Sequence, residues 1–118
     1  MHTIRNQQID TLRQVPLDVF EERMVKHLYE HFPQRSQKLG QRKVREDIRY
    51  SMERAKIYGI VTERDVCKYL NIVFAFHRDF DTDPELPWAG EILNNEELFS
   101  GKLKVDCLHE TALKYVDE

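Results

Sequence analysis

The stretch Val66-Cys67-Lys68-Tyr69-Leu70-Asn71-Ile72-Val73-Phe74-Ala75-Phe76 decides the fold class of this chain. Its strongly polar members are Lys68 and Asn71, which share one narrow strip of a helical wheel with Arg64, Ala75 and Arg78. The rest is apolar, so a helix here must be covered on most of its circumference. Thr62 stands where an N-cap belongs, with Asp65 at capping-box spacing in place of the preferred Glu or Gln. The sequence therefore predicts a central apolar helix over about residues 62–78, with other helices packed around it.

Working outward, Gly59 tolerates positive φ and is a natural stop for the preceding helix. That helix is predicted over Gln41–Tyr58, with Val44, Ile48, Met52 and Ala55 as its buried stripe. Leu17, Phe20, Met24, Leu28 and Phe32 recur at three- and four-residue spacing and predict a helix over 17–32. Pro33 is expected to end it, because the residue before a proline disfavours the helical region. Gln34–Gly40 then reads as a polar connection with room for one helical turn. Pro16 suits the first turn of the 17–32 helix, and Thr3–Gln14 forms an earlier amphipathic segment with Ile4, Ile9 and Leu12 as its apolar positions.

Downstream, Asp79–Leu86 reads as a loop, in which Asp83-Pro84 resembles a cap followed by a first helical turn. A short helix is predicted over Pro87–Leu93, carrying Trp88, Ile92 and Leu93 and ending at Asn94 and Asn95. Glu96–Phe99 can add one turn. Ser100 caps a last helix over 101–116. Leu103, Cys107 or Leu108, Thr111 and Tyr115 are expected to mark one face of it, with Val105, Leu108 and Ala112 beside them. Only four Gly and four Pro punctuate the chain, which favours long helices over a many-turned β fold. The expectation is all-α: one domain, residues 1–118, built as an irregular bundle of about five or six helices.

With 118 residues, 41% of them hydrophobic and 33% charged, the chain can bury a core without disulfide or metal staples. A formal net charge of −3 argues against a dedicated nucleic-acid binder. No stretch approaches the roughly 20 apolar residues that span a bilayer, and Met1–Leu12 lacks an apolar core of signal-peptide type. A cytoplasmic location, without membrane contact, follows as an expectation. Cys67 and Cys107 sit in apolar helical patterns and read as reduced core residues. Charge is segregated along the chain. Arg35–Lys56 holds eight Lys or Arg against three acids, whereas Asp79–Glu97 holds seven acids and no Lys or Arg. Such blocks are usually solvated faces, but they can also be partner surfaces or an internal match.

The patterns that could carry chemistry are incomplete. Asp79, Asp81 and Asp83 alternate as in a calcium loop, but Pro84 and Gly90 stand where that loop needs Gly and a bidentate Glu. His27 and His31 share a helix face at zinc-binding spacing, with no third ligand evident. Asp106 and His109 form a lone pair of their kind. None of Ser36, Ser51 and Ser100 lies in a nucleophile elbow, and Cys67 lies in the apolar central helix, where a thiol is inert rather than activated. The helices flanking Gly59 superficially resemble a helix-turn-helix. The second of them is too apolar to read DNA, although Arg42, Lys43, Arg45 and Arg49 on the first could touch phosphates. Phe80, Leu86, Pro87 and Trp88 put apolar bulk among acids. Trp88 could anchor an interface or belong to the core, and the core is the commoner place for it in a short helix.

The run Tyr58–Leu70, followed by Asp79-Phe80-Asp81-Thr82-Asp83-Pro84-Glu85-Leu86-Pro87-Trp88-Ala89 and Ile92-Leu93, resembles a small all-helical bacterial family encoded near type VI secretion effector and spike genes. Phe20–Leu28 leading to Phe32-Pro33 shares the resemblance. It covers most of the chain, and it implies an accessory role in that system rather than a reaction; no catalytic residue is carried over from it. The resulting expectation is a non-enzymatic protein-binding adaptor, chaperone or immunity-like partner of a secreted effector, with no catalytic, cofactor or metal residues. Its candidate contact residues are Asp79, Asp81, Asp83, Glu85 and Trp88, then Arg42, Arg45 and Arg49. The alternatives are a small nucleic-acid-associated regulatory protein using the basic helix 41–57 and a metal-dependent enzyme using His27 and His31. A homo-oligomer is compatible with all three.

Overall fold

The computed structural model describes residues 17–116; the segment Thr3–Gln14 lies outside them. The described chain is all-α. Its helices are α1 (Leu17–His31), α2 (Pro33–Leu39), α3 (Gln41–Ile57), α4 (Glu63–Ala75), α5 (Pro87–Leu93) and α6 (Gly101–Val116), with one 3₁₀ turn at Phe80–Thr82. The central position of α4 is as expected. Val66, Tyr69, Leu70, Ile72, Val73 and Phe74 are buried, while Arg64 and Ala75 on the polar strip are exposed. The helix packs against α1, α3 and α6. Burying a large apolar side chain contributes roughly 1.5–3 kcal/mol, so this helix alone accounts for much of the driving force.

Local chemistry sets the ends of these helices. Thr62 caps α4, its hydroxyl oxygen accepting from the Asp65 N–H at 3.2 Å. Ser100 caps α6 in the same way, accepting from the Leu103 N–H at 3.1 Å. At the end of α3 the Gly59 N–H donates to the Lys56 carbonyl and the Ile60 N–H to the Ala55 carbonyl, both at 3.0 Å. That double bond pattern is a Schellman motif, which requires positive φ at its penultimate residue; Gly59 supplies it at φ 80°. Ile60 then folds into the core, 1% exposed. The turn lies directly against the start of α6. A Cβ on Gly101 would stand 2.0 Å from the Gly59 carbonyl oxygen, so only glycine permits this approach.

Three expectations are corrected. Pro33 ends α1 but also begins α2, so Gln34–Leu39 is helix rather than connection. Phe32 alone breaks the path (φ −133°, ψ 60°), and the fixed φ of proline at the first helical position restarts it. Ser36 is fully buried within this short helix and donates to the Leu28 carbonyl at 3.0 Å. Asp83-Pro84 does not start a helix: the Asp83 carboxylate closes a turn by accepting from the Glu85 N–H, and α5 begins at Pro87 behind Leu86. On α6 the buried face is Val105, Leu108 and Ala112; Leu103 and Tyr115 are largely exposed.

Candidate functional site

Among the described residues, a large apolar concavity lies where three helices diverge. Its walls are the first turn of α1 (Leu17, Phe20), the last turns of α3 (Met52) and the approach to α4 (Ile60, Val61, Val66). Its volume is about 840 Å³, a size at which a few partner side chains can be enclosed. The groove has a local cause. The Gly59 turn bends the chain away from α3 before α4 starts, and α1 begins at Leu17 over the gap. Leu17 is 69% exposed and Val61 43%, so apolar surface that would ordinarily be covered faces outward at both ends.

Charged groups border this apolar floor, and several are already paired. Glu21, itself buried, accepts from Arg49 Nε at 2.6 Å and from Arg45 Nη1 at 2.8 Å. The bond from Arg49 is the largest reason the Glu21 carboxyl is held below the usual carboxylate range. Arg45 also reaches Glu22 at 2.7 Å. Arg23 bridges to Glu63 at 2.7 Å, tying α1 to the start of α4. Asp18, Glu53 and Lys56 complete the border. The arrangement suits an apolar segment with polar flanks.

These ion pairs decide where the sequence-derived residues stand. Two of the four basic side chains considered for phosphate contact, Arg45 and Arg49, are engaged by α1 acids. Arg42 is almost fully exposed, with only a 3.8 Å contact to Glu46, and Lys43 is exposed as well. The basic and acidic blocks meet within the molecule. Arg54 donates to Asp81 Oδ2 from Nη2 at 2.6 Å and from Nε at 3.0 Å, Tyr58 donates to the same oxygen at 2.7 Å, and Tyr50 donates to Asp79. Burial first, and then the bond to Asp81, pushes the Tyr58 phenol up to about 12.

Asp79, Asp81 and Asp83 therefore do not converge. Asp81 is buried at the Arg54–Tyr58 junction, Asp79 bonds Tyr50, and Asp83 pairs with His77 at 2.7 Å. Glu85 is exposed. Trp88 is a core residue, 9% exposed, edge-on to Phe76 at 5.5 Å and stacked on Tyr115 at 5.4 Å. Its truncation would disturb packing rather than a free surface.

His27 and His31 stack with ring centroids 4.4 Å apart. His27 Nε2 lies 2.8 Å from Asn71 Oδ1 and 3.6 Å from Cys67 Sγ. An amide oxygen can only accept, so that nitrogen carries its proton toward Asn71 and is not free to take one from the thiol. Burial moreover pushes the Cys67 thiol up, away from the thiolate form. Among the described residues, no group of three or more His, Cys, Asp and Glu side chains could hold a metal ion. Asp106 pairs with Lys102 and Lys68, not with His109. Sequence reasoning missed the groove because its walls come from three separated segments; the signal available was the cluster of apolar residues Ile57, Ile60 and Val61 around a helix stop.

Fold and groove together define a small helical bundle with an open apolar cleft. Comparison with protein-family models, with curated proteins and with solved structures finds no match to this chain. Among the described residues, no helix is long and apolar enough to cross a membrane.

Proposed function

We propose that this protein is a non-enzymatic binding module whose α1–α3–α4 groove receives an apolar segment of a partner protein. The observation that carries this reading is the open groove itself, with Leu17 and Val61 exposed at its ends. An apolar concavity rimmed by polar residues is the kind of surface on which ligand grooves and protein interfaces form. An amphipathic helix laid into a groove would bury its apolar face and keep its polar flanks at the charged border. The border acids are largely neutralised from within, Glu21 by Arg45 and Arg49, Glu63 by Arg23 and Glu53 by Lys56, so the border is polar without a strong net sign and suits a partner segment with polar flanks.

The resemblance to proteins encoded near type VI secretion genes supports a secreted effector or spike protein as the source of that segment. The module would then act as its adaptor, chaperone or immunity-like partner.

The test is retention of a partner from a lysate of the source organism by the wild-type protein and by two variants. Val61→Asp puts a charge on the groove at a solvent-exposed position, and Glu91→Lys reverses a charge on the distant acidic face of α5. A stoichiometric protein kept by wild type and Glu91→Lys, and lost with Val61→Asp, supports the reading. Retention indifferent to Val61→Asp contradicts it.

A further inference from the structure

We infer that the junction of α3, α4 and the 3₁₀ turn is a binding site for one buried water molecule, held by Ser51, Tyr69 and Asp81. Among the described residues, the buried side-chain oxygens without a hydrogen-bond partner in the protein are Ser51 Oγ, the Tyr69 hydroxyl and Asp81 Oδ1. None of these residues is more than 2% exposed. All of them belong to one place. Tyr58, which ends α3, donates to Asp81 Oδ2. Ser51 stands two turns before Tyr58 on the same side of that helix. The Tyr69 ring packs against Phe80 at 5.1 Å, and Asp81 is the next residue. Buried polar groups are almost always hydrogen-bonded, so orphans that meet at one junction call for one shared partner.

That partner is neutral. Arg54 already balances Asp81 through Oδ2, at 2.6 and 3.0 Å, and a cation beside it would be a buried charge with no counter-ion. The partner also both donates and accepts. Asp81 Oδ1 can only accept, and it is left open because Arg54 and Tyr58 both bond its sibling oxygen. Tyr69 donates: burial first, and then the charge of Asp81, push its phenol up, so it keeps its proton. Ser51 can take either role. Water meets all of these demands. It gives one hydrogen to Asp81 Oδ1, accepts the Tyr69 proton and makes its third bond with Ser51. About three such bonds are the usual complement of a buried water. None of the three residues lines the α1–α3–α4 groove, so failure of the groove reading would leave this site untouched.

A high-resolution crystal structure of the full chain and a double-mutant cycle test this. In the crystal, one ordered solvent peak is expected at about 3 Å from each of the three oxygens. A direct bond from Tyr69 to Asp81, a peak at the shorter oxygen distances of a metal ion, or no peak at all overturns the assignment. In the cycle, Tyr69→Phe and Ser51→Ala each delete one hydroxyl and leave the packing nearly intact. Each alone should lower the thermal midpoint by roughly 3–6 °C. Together they should lower it by less than the sum, because a water that has lost one bond is already poorly held. If the hydroxyls have no partner, deleting either leaves the midpoint unchanged or raises it, and that result refutes the site. Fully additive losses mean separate partners for Tyr69 and Ser51, and they refute the shared water.

Discussion

Trp88 is the chain's single tryptophan, which makes Trp88→Ala a sharp probe of how α4, α5 and α6 are locked together. The indole is buried against Phe76 and Tyr115. Removing it takes away on the order of 200 Å² of buried apolar area. At about 25 cal/mol per Å² that is ~5 kcal/mol before relaxation. Measured Trp→Ala and Phe→Ala losses in cores run about 3–5 kcal/mol. The neighbours favour the lower end of that range: Tyr115 is 47% exposed, in the last turn of α6, so it can swing into part of the space. A loss of about 3–4 kcal/mol is a large share of the 5–15 kcal/mol that holds a typical domain together. For a domain of this size it lowers the thermal midpoint by roughly 10–20 °C. Urea denaturation followed by far-UV circular dichroism measures the loss directly. Wild-type tryptophan emission should be blue-shifted and poorly quenched by iodide. A loss below about 1 kcal/mol, or emission typical of a solvated indole, would refute the packing argument.

Other consequences follow from single contacts. Gly→Ala inside a helix ordinarily stabilises by up to ~1 kcal/mol, but at Gly101 the new Cβ would meet the Gly59 carbonyl at 2.0 Å. Gly101→Ala should therefore destabilise, by about 1–3 kcal/mol; a stabilised variant would mean that the Gly59 turn does not lie against α6. Asp106 is held at about 2 by Lys102 first and Lys68 second. Because its folded value is depressed, its contribution is present above the ordinary value near 3.8 and is lost as pH falls toward 2. Asp106→Asn should flatten that acid limb, and an unchanged limb would contradict the pairing. Asp47 runs the other way: burial raises its carboxyl above the ordinary value despite Arg78 at 3.5 Å. Its contribution is full below 3.8 and falls as pH rises through the folded value, so Asp47→Asn should cost less stability at pH 7 than at pH 3.

Much of the fold was legible where the determining chemistry is local. Thr62, Ser100 and Gly59 mark helix boundaries because a cap or a positive φ depends on residues a few positions away. The central helix was legible because its one polar strip leaves no other way to satisfy it. Pro33 was half legible: its ring stops one helix, but the fixed φ equally suits the start of the next, and only the placement of Ser36 beneath Leu28 shows which happens. On α6 both Leu103-Cys107-Thr111-Tyr115 and Val105-Leu108-Ala112 have helical spacing, and the choice between them is made by α4 and α5, not by α6.

The candidate site was the least legible part. Asp81 looked like a surface acid because its partner Arg54 lies 27 residues earlier. Arg45 and Arg49 looked free because Glu21 neutralises them from another helix. Ion pairing across helices converts apparent surface charge into internal structure. The residual surface feature is then an apolar groove that no single segment reveals.

Hydrogen–deuterium exchange on the protein alone and in complex with its captured partner tests the central claim most directly. The account predicts new protection confined to 17–21 and 52–66, the three walls of the groove, with the amides of 85–97 and 34–43 exchanging as before. Protection centred instead on the acidic 85–97 segment or on the basic stretch around Arg42 would contradict it.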